Sequence, residues 1–228
     1  MDSEQRKIYT LGIVGGTGKE GKGLAYRWLK AGHKVIIGSR KFEKAQRTVA
    51  VVADLFEDPP GNLSGMENRD AVAACDIAVI TVPYGGHRAT LEDLKDVLDG
   101  KIVIDVVVPI KPPKVTKVQM PPEGSAAQEA QAILGDTCHV VDAFQNISYE
   151  RLLGSEEITC DVLVCGKGKA ARQVVLGLVG DADLKGWDAG PIENAVVVEG
   201  LTSILIGLNI QHHVHASGIR ITGIPDQA

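Results

Sequence analysis

Residues 9–40, YTLGIVGGTGKEGKGLAYRWLKAGHKVIIGSR, decide the fold. Residues 9–14 are apolar or alternating and predict a buried strand. A glycine-rich turn follows, then a helical pattern with Leu24, Ala25, Trp28 and Leu29 on one face. Gly32 is placed to end that helix, because glycine tolerates a left-handed cap. Within the turn, Gly16-Thr17-Gly18-Lys19-Glu20-Gly21 fits G-x-G-x-x-G. Such a match alone is weak, but here a strand precedes it, a helix follows, and a second strand comes next. Gly16 permits the tight turn, Gly18 lets the backbone approach a pyrophosphate, and Gly21 lets the helix pack close to the strand. The helix N-terminus points unpaired N–H groups and a partial positive charge at the phosphates. The plainer alternative is a tight turn in an α/β protein; the flanking elements favour a dinucleotide site.

The second strand ends at Ser39-Arg40. In such a unit an Asp or Glu about 20 residues on usually takes the ribose 2′-hydroxyl of NAD. No carboxylate stands at that place. A carboxylate would repel a 2′-phosphate, whereas serine can donate a hydrogen bond to one and arginine can bind it with paired charge-assisted bonds. Lys44, one helical turn later, offers a third contact. NADP is therefore expected rather than NAD. The competing reading has Ser39 capping the helix over residues 41–56 and Arg40 solvated.

The chain has 228 residues, enough for one large domain, or a large domain with a small lobe. Hydrophobic residues make up 44% and aromatics only 4%, so the core must be mostly Val, Ile, Leu and Ala, which suits buried parallel strands. The net charge of -5 comes without a basic run or interleaved arginine and aromatic residues, which argues against nucleic acid. Residues 1–7 are polar and show no signal peptide. The longest apolar run, around residues 195–210, is interrupted by Glu199, Gly200, Thr202, Ser203 and Gly207 and reads as too polar for a membrane span. Cys75, Cys138, Cys160 and Cys165 form no C-x-x-C pair, so zinc is not indicated and reduced, mostly buried thiols in a cytoplasmic protein are expected.

Strand and helix keep alternating: strands at CDIAVITVP, KIVIDVVVP and HVVDAF, helices at ATLEDLKDVLDG and SAAQEAQAILG, the last with Ser125 as cap and Glu129 near the capping-box position. Residues 109–124 have the composition of a surface loop. Past about residue 150, CDVLVCG and LKGWDAG read as added strands flanking the helix KAARQVVLGLVG. PIENAVVVEGLTSILIGLNIQHH then reads as a long helix starting at Pro191. Its nearly all-round apolar character predicts burial on several sides, and packing against a second subunit suggests a homodimer. The expected fold is α/β: a doubly wound, mostly parallel Rossmann sheet with added strands and a small C-terminal helical lobe. Residues 8–189 would form the extended dinucleotide-binding domain. Residues 190–228 would supply the C-terminal helix and tail, for dimerisation and cleft closure.

Ligands of an open parallel sheet bind beyond the carboxyl ends of the strands. Those ends place Thr81, Val82, Pro83 and Tyr84 on one strand, Val107, Val108 and Pro109 on the next, and Ala143, Phe144, Gln145 and Asn146 on the third. Pro83 and Pro109 either rigidify turns or form an apolar wall against a flat nicotinamide ring. No catalytic acid–base pair stands out, so no catalytic residue is assigned. His212, His213 and His215 sit at a helix end, where adjacent histidines project in different directions; polar helix-end or phosphate contacts are favoured over metal. His33 and His87 are expected at the surface. Hydride transfer between two organic cofactors needs mainly stacking and exclusion of water, because the cofactors carry the hard chemistry.

GIVGGTGKEGKGLAYRWLKAGHKVIIGSRKFEKA, ACDIAVITVP, CDVLVCG, WDAGPIENA and GIRITGI together resemble the NADPH:coenzyme F420 oxidoreductase family, from about Ile8 to Ile224. The Gly-Gly-Thr-Gly loop joined to Gly-Ser-Arg is the most specific part. The resemblance implies reversible hydride transfer between NADP(H) and the 5-deazaflavin coenzyme F420, from C4 of one to C5 of the other. It implies that Thr17, Gly18, Lys19 and Glu20 line the pyrophosphate, that Ser39, Arg40 and Lys44 hold the 2′-phosphate, and that Val108 and Ala143 lie beside the nicotinamide. Members of the family often carry histidine where this chain has Gln145. Two other readings use the same site: an NADPH-dependent reductase of a flavin or other small acceptor, and a non-catalytic NADP-binding redox sensor.

Overall fold

A computed structural model describes residues 6–154 and 157–224. Most of the polar N-terminal stretch, and residues 225–228 of the expected C-terminal lobe, lie outside the described residues. Eight strands form one sheet in the order β3-β2-β1-β4-β5-β6-β7-β8. They are β1 (Thr10–Val14), β2 (Lys34–Ser39), β3 (Leu63–Glu67), β4 (Ile77–Ile80), β5 (Ile102–Asp105), β6 (His139–Asp142), β7 (Asp161–Gly166) and β8 (Lys185–Gly190). Every pairing is parallel except β6 with β7. The helices between them are α1 (Lys19–Lys30), α2 (Phe42–Ala53), α3 (Asn68–Ala74), α4 (His87–Leu98), α5 (Ala126–Leu134), α6 (Tyr149–Leu153), α7 (Lys169–Asp181) and α8 (Ala195–His212). The expected mostly parallel α/β sheet with added strands is the observed one.

Apolar side chains fill both faces, as a parallel sheet covered on two sides requires. On one face Leu11, Ile13, Val35 and Ile37 pack with Leu24 and Trp28 of α1. On the other, Val14, Ile80 and Val103 pack with Leu91 and Leu94 of α4. Trp28 meets Phe144 edge-on at 5.7 Å and donates its indole N–H to the Leu178 carbonyl at 2.9 Å, which ties α1 to α7. Gly32 closes the first crossover at φ +88, as expected. Chain order reverses where β1 lies between β2 and β4, and this crevice is where an open α/β sheet binds ligands.

Several expectations need correction. Strand β3 with α3, and the short α6, had no place in the sequence reading. His33 and His87 are not at the surface; both are fully buried. His33 has the Tyr9 N–H on one ring nitrogen and Asp181 2.8 Å from the other. His87 stands 2.8 Å from Asp105. Pro191 precedes a 3-10 turn, Ile192–Asn194, and α8 itself starts at Ala195. The chain's own fold leaves part of that helix uncovered, as expected: Val197 is 62% and Ile210 61% exposed. With its 3-10 turn it is long and apolar enough to cross a membrane by length and composition alone. Ser39 is not the cap of α2, whose N-cap residue is Lys41; the Ser39 hydroxyl accepts the Lys41 N–H at 3.3 Å.

The polar residues of α8 fasten it to α5 and to the segment that follows β6. The Glu199 carboxylate accepts the N–H groups of Ala126 and Ala127 at 2.8 and 3.0 Å, so an acid of α8 sits on the N-terminus of α5. Ser125 caps the same helix, accepting the Gln128 N–H at 3.0 Å. Thr202 donates to the Gln145 carbonyl, and Asn146 donates to the Val198 carbonyl.

Candidate dinucleotide site

The turn after β1 is held by its own backbone. Gly15 takes φ +72, a conformation that L side chains rarely adopt. The Gly16 N–H donates to the carbonyls of Ile13 and Gly38, both at 3.0 Å, which binds the turn to β2. Gly18 is the N-cap residue of α1 and supplies no side-chain cap, so the first N–H groups of the helix stay available. A β-carbon at Gly18 would meet nothing closer than 3.7 Å, which leaves the approach to the helix end open. At Gly21 the opposite holds: a β-carbon would stand 2.7 Å from the Gly16 Cα.

This turn forms one wall of a cavity of about 950 Å³. Thr17 and Gly18 line it on the α1 side. Ser39, Arg40 and Lys44 line it at the end of β2, and Thr81 and Pro83 at the end of β4. Seven predicted positions therefore come together. Gly16 and Gly21 lie beneath as backbone. Lys41 and Asn68 also line the cavity and were missed. Lys41 belongs to the basic Ser-Arg-Lys run and was legible there; nothing in the sequence marked Asn68. None of the lining residues is Asp or Glu. The cavity thus presents donors and cations at β2 and an uncapped helix end at α1, an arrangement that fits a phosphorylated dinucleotide.

Other predicted residues fall elsewhere. The Lys19 ammonium turns away to the Tyr149 hydroxyl at 2.8 Å and lies over that ring, leaving its backbone at the helix end. Val108 is half-buried, while Pro109 and Ala143 are buried at the ends of β5 and β6, outside the cavity lining. The Thr81 hydroxyl donates to the Val14 carbonyl at 2.9 Å. His212, His213 and His215 are exposed at and just beyond the end of α8. Among the described residues no three His, Cys, Asp or Glu side chains converge as a metal site.

Buried acids lie beside the ends of β5 and β6. Asp105 and Asp142 are register partners and both are fully buried. Asp105 pairs with His87; burial opposes the charged ring, but Asp105 and Glu129 outweigh it and raise the His87 pKa. The Gln145 amide donates to the Asp105 carbonyl at 2.6 Å and to the Asp142 carboxyl. Burial, with the charges of Glu199 and Asp105, pushes Asp142 well above the ordinary carboxyl range. Burial pushes Glu199 up to about 8 despite the two N–H groups it accepts. Glu20, in the first turn of α1, is half-buried as a residue, but its Oε1 is sealed from solvent and has no partner. Burial pushes its carboxyl up to about 8.

The sequence profile of the family described as "NADP oxidoreductase coenzyme F420-dependent" matches residues 10–109. The chain is 37% identical to an F420-dependent NADP reductase of Methanocaldococcus jannaschii, over 94% of this chain and 98% of that protein. It is 37% identical to an F420-dependent NADP reductase of Methanothermobacter thermautotrophicus, over 96% of this chain and 97% of that one. A solved structure from Arthrobacter sp. FB24 superposes with a TM-score of 0.78 at 20% identity, covering 94% of this chain and 100% of that chain; at this identity the likeness is one of fold.

The position of Glu20 gives a pH dependence. Its folded-state value lies above the ordinary 4.5, so its contribution to stability is full below 4.5 and is lost as pH rises through about 8. Ionisation also sets a negative charge beside the helix end that faces the cavity. Dinucleotide affinity, titrated by fluorescence, is expected to be flat between about pH 6.5 and 7.5 and to weaken roughly tenfold above pH 8. Glu20→Gln should remove that weakening; a variant with the wild-type profile would contradict the assignment.

Proposed function

This chain belongs to the coenzyme F420-dependent NADP oxidoreductase family, and we propose that its donor-lined cavity holds NADP(H) with the nicotinamide directed toward the ends of β5 and β6. The activity is reversible hydride transfer between NADP(H) and coenzyme F420, two carriers that supply the redox chemistry themselves. The observation that carries the site assignment is the wall at the end of β2: Ser39, Arg40, Lys41 and Lys44 on the same cavity as the glycine turn, with no carboxylate among the lining residues. Thr17, Gly18, Lys19 and Glu20 offer backbone to the pyrophosphate. Ser39, Arg40 and Lys44 hold the 2′-phosphate, with Lys41 beside them. Val108, Pro109 and Ala143 bound the nicotinamide side, and Pro83 flanks it from β4. No side chain is assigned as a proton donor at the reacting carbon.

The C-terminal lobe is assigned to dimerisation and cleft closure. One side of α8 is fixed to α5 and the end of β6 through Glu199 and Thr202, while Val197, Ile204, Leu208 and Ile210 face outward. Glu199, buried and bonded to the start of α5, and Thr202, bonded to the Gln145 carbonyl beyond β6, favour a protein partner over a bilayer, and a second copy is the partner assigned. Four free cysteines, three of them buried, support the reducing cytoplasm as its compartment.

Removing a charge-assisted contact costs roughly 1.5–3 kcal/mol, or about one to two orders of magnitude in affinity. Arg40→Ala is therefore expected to weaken NADPH far more than NADH; equal weakening of both would remove Arg40 from the 2′-phosphate. Purified protein given NADPH should reduce F420 in preference to FMN or FAD. Preference for either flavin would favour a flavin reductase, and failure with all three would favour a redox sensor. Sedimentation velocity should show a dimer at micromolar concentration, and Ile204→Asp should shift it toward monomer; a wild-type monomer would refute the assembly.

A further inference from the structure

Asn68 lines the cavity, with its side chain between the glycine turn and the end of β2. It begins α3, directly after β3, and its amide crosses the end of β2. The Oδ1 atom accepts the N–H of Gly15 at 3.2 Å, the residue held at φ +72 in the glycine turn. The same oxygen lies 2.9 Å from where a β-carbon would stand on Gly38. Only a bare backbone at Gly38 lets the amide pass, and Gly38 directly precedes Ser39. Because Gly15 supplies a donor, the amide's orientation is fixed: oxygen toward the turn, nitrogen free. Among the described residues the Asn68 Nδ2 group donates to no protein atom, and it sits on a wall shared with Ser39, Arg40, Lys41 and Lys44.

Resting on the reading of this cavity as an NADP(H) site, we infer that Asn68 is both a positioning and a specificity-determining residue. Its Oδ1 holds the glycine turn in register with β2, and its Nδ2 presents a donor to the phosphorylated ribose. The amide is suited to the two tasks together. An aspartate would satisfy Gly15 equally well but would set an anion on the wall that receives the 2′-phosphate. Alanine would release the turn as well as the donor. A single side chain thereby couples the pyrophosphate end of the site to the end that distinguishes NADP from NAD.

The test is binding, measured by calorimetric titration with NADPH and NADH. In Asn68→Asp the NADPH Kd should rise at least about tenfold while the NADH Kd stays within about twofold, since the Gly15 contact survives and only the charge changes. In Asn68→Ala the NADH Kd should also rise, because the turn is released for either ligand. Wild-type protein provides a reading that needs no variant to fold: the side-chain amide resonances of Asn68 in ¹⁵N-labelled protein should shift with NADPH and much less with NADH. Unchanged NADPH preference in Asn68→Asp, or equal amide shifts with the two ligands, would overturn the specificity role. An unchanged NADH Kd in Asn68→Ala would overturn the positioning role. If wild-type protein itself binds NADH as tightly as NADPH, the NADP reading of the cavity fails instead, a result separable from the other two.

Discussion

A β-carbon at Gly21 would stand 2.7 Å from the Gly16 Cα, so α1 lies against the turn that feeds it with no side chain between them. The rest of the site follows from that contact. With the helix this close, its first N–H groups open onto the crevice between β1 and β4 instead of onto solvent. The Gly16 N–H, shared between the carbonyls of Ile13 and Gly38, then fixes where β2 ends relative to the turn. Ser39 and Arg40 come next in the chain, so the spacing between the glycine turn and the cationic end of the cavity is set by backbone, with the Asn68 amide bonded to the turn beside it.

The second half of the architecture depends on charge held away from water. Asp105 and Asp142 are register partners at the ends of neighbouring parallel strands, both fully buried. Their partners differ: His87 stands beside Asp105, while the Gln145 amide donates to Asp142, whose carboxyl burial raises well above the ordinary range. The main chain of Gln145 also accepts from Thr202 of α8, and Glu199 of α8 holds the start of α5. The C-terminal helix is thus fastened to the start of α5 and to the segment that follows β6.

Much of this was legible because it is local. The strand, turn and helix over residues 9–40 follow from periodicity and glycine spacing, and the absence of an acid at Ser39-Arg40 is visible without a structure. What was not legible depends on distant partners. His33 and His87 look like surface residues until Asp181 and Asp105 are brought to them across 148 and 18 residues of chain. Strand β3, with the sequence LSGME, lacks β-branched residues and shows no clear alternation; it exists because β2 pairs with it along five residues. Asn68 begins the short helix after that strand, so missing β3 hid its role. For α8, composition predicted burial on several sides, but composition does not say which sides the chain's own fold covers and which it leaves exposed.

Two hydride carriers held together exchange hydride without a side chain relaying a proton through the reacting carbon; such a relay is the competing route. The buried acids near β5 and β6 make this a real alternative to exclude. The most direct measurement uses NADPH deuterated at both C4 positions, with F420 in ordinary water, and mass analysis of the reduced deazaflavin. Direct transfer places one deuterium at C5 of the product. Loss of the label to solvent, under conditions where C5 of the reduced product does not exchange, would contradict it.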